Sequence, residues 1–210
     1  MSSSALRPGK IVCVGRNYVA HARELGNEVP ERPLLFLKPP SSVVRAGEAI
    51  VLPPDSAQVE FEGEIGVVVG TRLRHADEAT ARRAIRGIVA VNDVTARDLQ
   101  RSDGQWTRAK GFDSFCPVGP EAAAPGDLGA LEVVTRVNGA ERQRGRASEM
   151  AFSIPFLLAY VSRIMTLEPG DVLATGTPAG VGALTPGDEV EVEVVGLSAV
   201  RNPVVAEAGV

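Results

Sequence analysis

Short apolar runs bounded by Gly, Pro, Asn and Asp recur along the chain, the pattern of a strand-rich protein. Residues 10–14 read as a first strand, and Gly15-Arg16-Asn17-Tyr18 turns into a short polar helix over 19–25, stopped by Gly26-Asn27. Residues 34–38 predict a second strand closed by Pro39-Pro40, with Lys38 at its mouth. Residues 59–70 read as one strand, followed by a helix over 77–86 with Asp77 as N-cap and Gly87 behind it, then a strand over 87–91. At the exit of that strand Asp93 is either a site carboxylate or the N-cap of a helix over 94–100. Residues 101–105 predict a mobile polar loop, after which Trp106, the single tryptophan, is expected to seat the segment carrying Lys110. A hairpin turns at Asn138-Gly139, and residues 152–164 predict a core helix with Pro155 in its first turn. Residues 170–182 predict a strand ending in a glycine-rich turn whose N–H groups and threonine hydroxyl suit an anion, and residues 190–195 close the chain with an alternating strand.

The strand over 59–70 departs from the ordinary pattern. Its side chains alternate between faces, so Glu60, Glu62 and Glu64 would share one side while Phe61 and Ile65 point to the other. The Val67-Val68-Val69 run that follows reads as buried, which sets three carboxylates at the margin of a core. A hard divalent cation held by oxygen ligands or neighbouring Lys and Arg side chains would each balance them, and a solvated edge strand would need neither. His21 and Glu24, three apart on the first helix, share a face on which an imidazole and its orienting carboxylate could meet the same water.

Composition narrows the classes. The 210 residues, with 44% hydrophobic and 23% charged, suffice for one folded domain over 10–210 behind a short tail, 1–9, without a structural metal. A net charge of −4 and the lack of a basic block argue against nucleic acid and favour a small-molecule partner. Cys13 and Cys116 form neither a disulfide framework nor a zinc pattern, and Cys13 reads as a packed core residue. With no membrane-length apolar run and no secretory leader in the sequence, a cytoplasmic location is expected. His75 lacks a companion at ligand spacing and reads as surface.

Six blocks in order carry a resemblance: Gly15-Arg16-Asn17-Tyr18 through His21, Phe36-Leu37-Lys38-Pro39, Glu62-Gly63-Glu64-Ile65-Gly66-Val67-Val68, Asn92-Asp93 through Gln100, residues 106–120, and residues 167–182. Together they resemble the fumarylacetoacetate hydrolase family, especially its short acylpyruvate hydrolase and oxaloacetate decarboxylase members. The resemblance implies an α+β fold, a mixed β-sandwich or roll with few short helices, usually a homodimer. It implies Mg²⁺ or Mn²⁺ on Glu62, Glu64 and Asp93, with Glu60 left out of the set and dispensable. It carries catalytic roles to His21, Glu24 and Lys110, and substrate contacts to Arg16, Tyr18, Lys38, Arg97, Gln100 and Thr177. The implied activity is C–C hydrolysis of an acylpyruvate-like 2,4-diketo acid through an enolate, with oxaloacetate decarboxylation beside it and a small 2-oxo acid as substrate. Isomerisation or decarboxylation of 5-carboxymethyl-2-hydroxymuconate or 2-hydroxyhepta-2,4-diene-1,7-dioate is the alternative, and a non-catalytic metabolite-binding member is the alternative of another class.

Overall fold

The computed structural model describes residues 6–24, 26, 28 and 30–208. Its elements in chain order are β1 (Ile11–Gly15), α1 (Val19–Glu24), β2 (Leu34–Lys38), β3 (Val43–Val44), β4 (Ile50–Leu52), β5 (Val59–Phe61), β6 (Gly63–Val69), α2 (Glu78–Arg83), β7 (Ile85–Asn92), β8 (Thr95–Ala96), α3 (Arg97–Ser102) and α4 (Thr107–Gly111). The second half holds β9 (Cys116–Pro117), β10 (Ala122–Ala123), β11 (Glu132–Val137), β12 (Ala140–Arg146), α5 (Ile154–Ile164), β13 (Val172–Ala174), β14 (Gly182–Ala183), β15 (Glu189–Val194) and β16 (Ser198–Ala206).

Two mixed sheets face each other. One runs β10-β7-β6-β13-β1-β2, the other β12-β11-β15-β16-β4, and the small sheet β14-β5-β8 lies beside them. Strand β6 is buried on both faces, as its unbroken β-branched run requires. Ile65, Val67 and Val69 point into a core shared with Val133, Val192 and Val194 of the second sheet and with Leu157, Leu158 and Val161 of α5. Val68 points the other way, onto Ile11, Cys13, Val89 and Val172. Truncating a side chain such as Leu157 to alanine in so closed a core costs roughly 2–5 kcal/mol. Among the described residues no helix is long and apolar enough to cross a membrane.

The architecture is the α+β sandwich that the sequence predicts, with several local corrections. Residues 59–70 are two strands: β5 pairs with β8 and β14, Glu62 sits in the break, and β6 pairs with β7 and β13. Glu60 therefore belongs to a different sheet from Glu64. Helix α2 stops at Arg83 and Gly87 lies inside β7, because the chain re-enters the sheet at Ile85. Asp93 caps nothing; β8 intervenes and α3 begins only at Arg97. The stretch over 101–105 is not a free loop, since α3 reaches Ser102 and Asp103 accepts two bonds from Arg108 at 2.9 and 2.8 Å. His21, on the face it shares with Glu24, is 5% exposed. Strand β16 escaped the sequence reading because Asn202 and Pro203 interrupt its alternation; Asn202 is buried and donates to the carbonyls of Arg45 and Glu48. Leu25, Asn27 and Val29 fall outside the described residues, and with them the end expected for the first helix.

Candidate metal centre

Glu62, Glu64 and Asp93 meet because of one antiparallel register. Gly63 on β6 pairs with Asn92 on β7, the Asn92 side-chain carbonyl accepts from the Glu62 N–H at 3.0 Å, and the Asp93 N–H donates to the Glu62 carbonyl at 2.8 Å. Gly63 between the two glutamates is obligatory: a Cβ there would lie 1.9 Å from the Thr135 hydroxyl oxygen. The outcome is a buried group of three carboxylates whose ligand oxygens all lie within 4.8 Å of one another.

Three cations surround it, each tied to particular acids. Lys38 donates to Asp93 Oδ1 at 2.6 Å and to the Val94 carbonyl at 3.0 Å. Lys110 donates to Glu62 Oε2 at 2.8 Å, Asp93 Oδ2 at 2.5 Å and Thr95 Oγ1 at 2.7 Å, which uses all three of its protons. Arg97 donates through Nε to Glu60 at 2.7 Å, and through its terminal nitrogens to Glu62 and Gln100. All of these charged side chains are at least nine-tenths buried.

The charges do not balance. Glu60, Glu62, Glu64 and Asp93 face Lys38, Lys110 and Arg97, and among the described residues Glu64 is the acid no cation touches. It accepts one hydrogen bond, from the Gly176 N–H at 2.9 Å. Burial and then the neighbouring Asp93 and Glu62 push its carboxyl well above the usual range. Burial works the same way on Glu62, but Lys110 and Arg97 outweigh it and hold that carboxyl far below. Burial also disfavours the charged forms of Lys110 and Arg97, yet the carboxylates beside them raise both and keep them cationic. An uncompensated oxygen-only cluster of this kind has the donor set and charge for a hard divalent cation. Burial pushes the Cys116 thiol up to about 12 and raises Cys13 as well, and both pack in the apolar cluster with Val68, Val89 and Val172, outside the carboxylate group.

A small cavity opens over the carboxylates. Arg16, His21, Arg97, Gln100, Lys110 and Thr177 all line it, with Phe36 and Trp106 as an apolar wall. These two rings meet edge-on at 5.4 Å, and the Lys110 ammonium lies 4.8 Å from the Phe36 ring. The indole of Trp106 thus packs against the ring over which Lys110 lies, and the Lys110 N–H donates to the Trp106 carbonyl at 3.0 Å as the first helical bond of α4. The cavity brings in six of the nine catalytic and substrate-side residues expected from the sequence, and leaves out three. Lys38 does close β2, as expected, but it is wholly buried behind Asp93, to which its ammonium donates, and it does not line the cavity. Tyr18 is buried and does not line the cavity, its hydroxyl has no partner among the described residues, and burial followed by the Glu64 charge raises its phenol strongly. Glu24 stands one layer back, 3.3 Å from His21 Nδ1.

The glycine-rich turn after β13 does hold anions, but they are the protein's own. Gly176, at φ 102°, aims its N–H at Glu64, and Gly180, at φ 100°, donates to the two oxygens of Glu24 at 3.1 and 3.2 Å. Thr177 donates its hydroxyl proton to the Gly63 carbonyl at 2.9 Å and accepts from Gln143 at 2.7 Å. Gln143 was not singled out by sequence reasoning, although it also accepts from the Gly63 N–H at 3.0 Å and so ties β12 to the residue between the glutamates. It lies in a polar return strand whose neighbours are exposed, and nothing in the local pattern marks it.

Comparison with known proteins agrees with this geometry. The family model described as fumarylacetoacetate (FAA) hydrolase C-terminal matches residues 10–205. A mitochondrial oxaloacetate tautomerase of Arabidopsis thaliana is 44% identical over 199 residues, 91% of this chain and 89% of that protein. The structure of a 5-carboxymethyl-2-hydroxymuconate delta-isomerase from Mycobacterium smegmatis superposes with a TM-score of 0.90 at 44% identity, covering 97% of this chain and 81% of that one. A fumarylpyruvate hydrolase from Pseudomonas aeruginosa, solved in complex with Mn²⁺ and pyruvate, gives a TM-score of 0.92 at 32% identity over 98% of this chain and 93% of that one.

Proposed function

The chain belongs to the fumarylacetoacetate hydrolase family, and from that premise we propose that it is a Mg²⁺- or Mn²⁺-dependent enzyme of enolate chemistry on small 2-oxo acids. Its leading reaction on this reading is keto–enol interconversion of an oxaloacetate-like substrate. The observation that carries the metal half is Glu64, buried, without a cationic partner, and in reach of Glu62 and Asp93. When bound, the ion supplies Lewis acidity toward the 2-oxo and carboxylate oxygens of the substrate.

The chain's own residues divide the remaining work. Lys110 has its protons committed to Glu62, Asp93 and Thr95, so it acts as a fixed positive charge beside the developing enolate and not as a proton donor. His21 is the cavity side chain left for proton transfer, since an imidazole is the side-chain type that gives and takes protons at neutral pH. Glu24 accepts from Nδ1–H, fixes the tautomer, and leaves Nε2 to take the proton from C3 and return it to the enolate oxygen, or to carry it the other way in ketonisation. Arg16, Arg97, Gln100 and Thr177 hold the substrate's polar groups. One base and one fixed cation suffice to move one proton, and the relatives named for oxaloacetate tautomerisation are among the more similar to this chain.

Hydrolysis of an acylpyruvate-like 2,4-diketo acid is the second reading, favoured by the oriented His21–Glu24 pair and by the likeness to the fumarylpyruvate hydrolase. There His21 would first activate a water at the distal carbonyl and then return the proton to the departing carbon. The two readings separate in one experiment with Mn²⁺: ketonisation of enol-oxaloacetate and pyruvate release from acetylpyruvate, for wild type and His21→Ala. The leading reading expects fast ketonisation, reduced roughly 10²–10⁴-fold by the substitution. Pyruvate release without ketonisation would replace it with the second, and neither activity would sink both.

A further inference from the structure

Glu60 is neither a member of the three-carboxylate group nor a wall of the cavity, yet it is only 7% exposed. A carboxylate this buried needs firm partners. It has two: Arg97 Nε donates to one oxygen at 2.7 Å and Gln58 donates to the other at 2.6 Å. The same guanidinium donates to Glu62 through a terminal nitrogen. Glu60, Arg97 and Glu62 therefore form one line of charge that crosses from β5 to α3 and into the break before β6.

Arg97 is a planar fork divided between two acids, and what one acid takes the other is spared. Without the charge on Glu60, the whole attraction of Arg97 would fall on Glu62 and compete with a divalent ion for its oxygens. The count of charges points the same way: four buried acids against three cations becomes three against three, and the excess negative charge that favours a cation is gone. We infer that Glu60 is a positioning residue that sets the divalent-ion affinity of the centre by neutralising Arg97, without itself touching the ion. This rests on the metal reading proposed above, and it replaces the expectation that Glu60 is dispensable.

The test is calorimetric titration of Mn²⁺ into the metal-free full chain for wild type, Glu60→Gln, Glu62→Gln and the double variant Glu60→Gln/Arg97→Gln. Glu60→Gln should raise Kd roughly 10–100-fold, the usual consequence of losing a partner behind a ligand. The double variant should return Kd most of the way toward wild type, because the unbalanced guanidinium has gone too. That recovery is what separates an electrostatic role from a structural one, since two lesions in the packing would bind worse than one. An unchanged Kd in Glu60→Gln, or equal weakening in the single and double variants, overturns the inference while leaving the metal reading intact. Normal binding by Glu62→Gln, or none by wild type, overturns the metal reading itself.

Discussion

Replacing Glu64 with glutamine should stabilise the metal-free protein and cripple the metal-loaded one. The substitution keeps the shape and the acceptor for the Gly176 N–H, bonded at 2.9 Å, but removes the one buried carboxylate that no cation balances. Relieving an incompletely satisfied buried group is worth on the order of 1–3 kcal/mol. In a domain of this size each kcal/mol moves Tm by about 2–4 °C. Wild type at a hundredfold excess of Mn²⁺ over Kd gains about 2.7 kcal/mol from binding, and the variant, short of one ligand charge, gains little. The melting order should thus invert, with the variant higher in EDTA and wild type higher in excess Mn²⁺. The pH dependence has a definite sign. The folded-state Glu64 carboxyl is raised by burial and its acidic neighbours, so wild type loses stability as pH climbs from the unfolded value of about 4.3 toward the raised folded one. The advantage of the variant in EDTA should grow over that window and vanish below it. Scanning calorimetry with and without Mn²⁺ at both ends reads all of this. A variant that melts lower than wild type in EDTA, or that gains as much from Mn²⁺, would refute the reasoning.

Three further outcomes are expected. Glu24→Gln should lower kcat while leaving Mn²⁺ affinity and KM close to wild type, because it acts through His21 Nδ1 and lies outside the cavity; steady-state kinetics beside a Mn²⁺ titration checks this. Lys38→Met should cost roughly 1–3 kcal/mol, the penalty for leaving Asp93 Oδ1 without its donor while Lys110 still holds Oδ2. Denaturant unfolding of the metal-free protein measures that loss, and a change confined to KM would restore Lys38 as a substrate contact. Gln143→Leu, which severs the ties to Gly63, Thr177 and Pro178, should weaken Mn²⁺ binding roughly 10–100-fold in the same calorimetric titration.

The sheet framework was legible because its signals are local. A turn at Asn138-Gly139, a first-turn proline at Pro155 and the β-branched run of β6 each announce their element from adjacent residues. The acidic pair and Asp93 were legible as well, but through a resemblance and not through the strand pattern, which put Glu60 on the wrong footing. Alternation treats a strand as unbroken, and the break at Glu62 depends on the Asn92 side chain thirty residues away. The same limit explains Lys38. Its place at the end of β2 is local and was legible, but its burial against Asp93 comes from packing that the sequence pattern does not show. The N–H half of the anion reading of the glycine-rich turn holds, with Glu64 and Glu24 identifiable as its anions only in three dimensions, whereas the Thr177 hydroxyl donates to the Gly63 carbonyl.

The central claim is that Glu62, Glu64 and Asp93 hold one divalent ion on which a 2-oxo acid is turned over. Crystals grown with Mn²⁺ and pyruvate, measured at the manganese absorption edge, test it most directly. The account expects one strong anomalous peak bonded to an oxygen of each of the three carboxylates, with pyruvate between it and Lys110. A peak away from this group, or a bound pyruvate with no manganese beside it, would contradict the account.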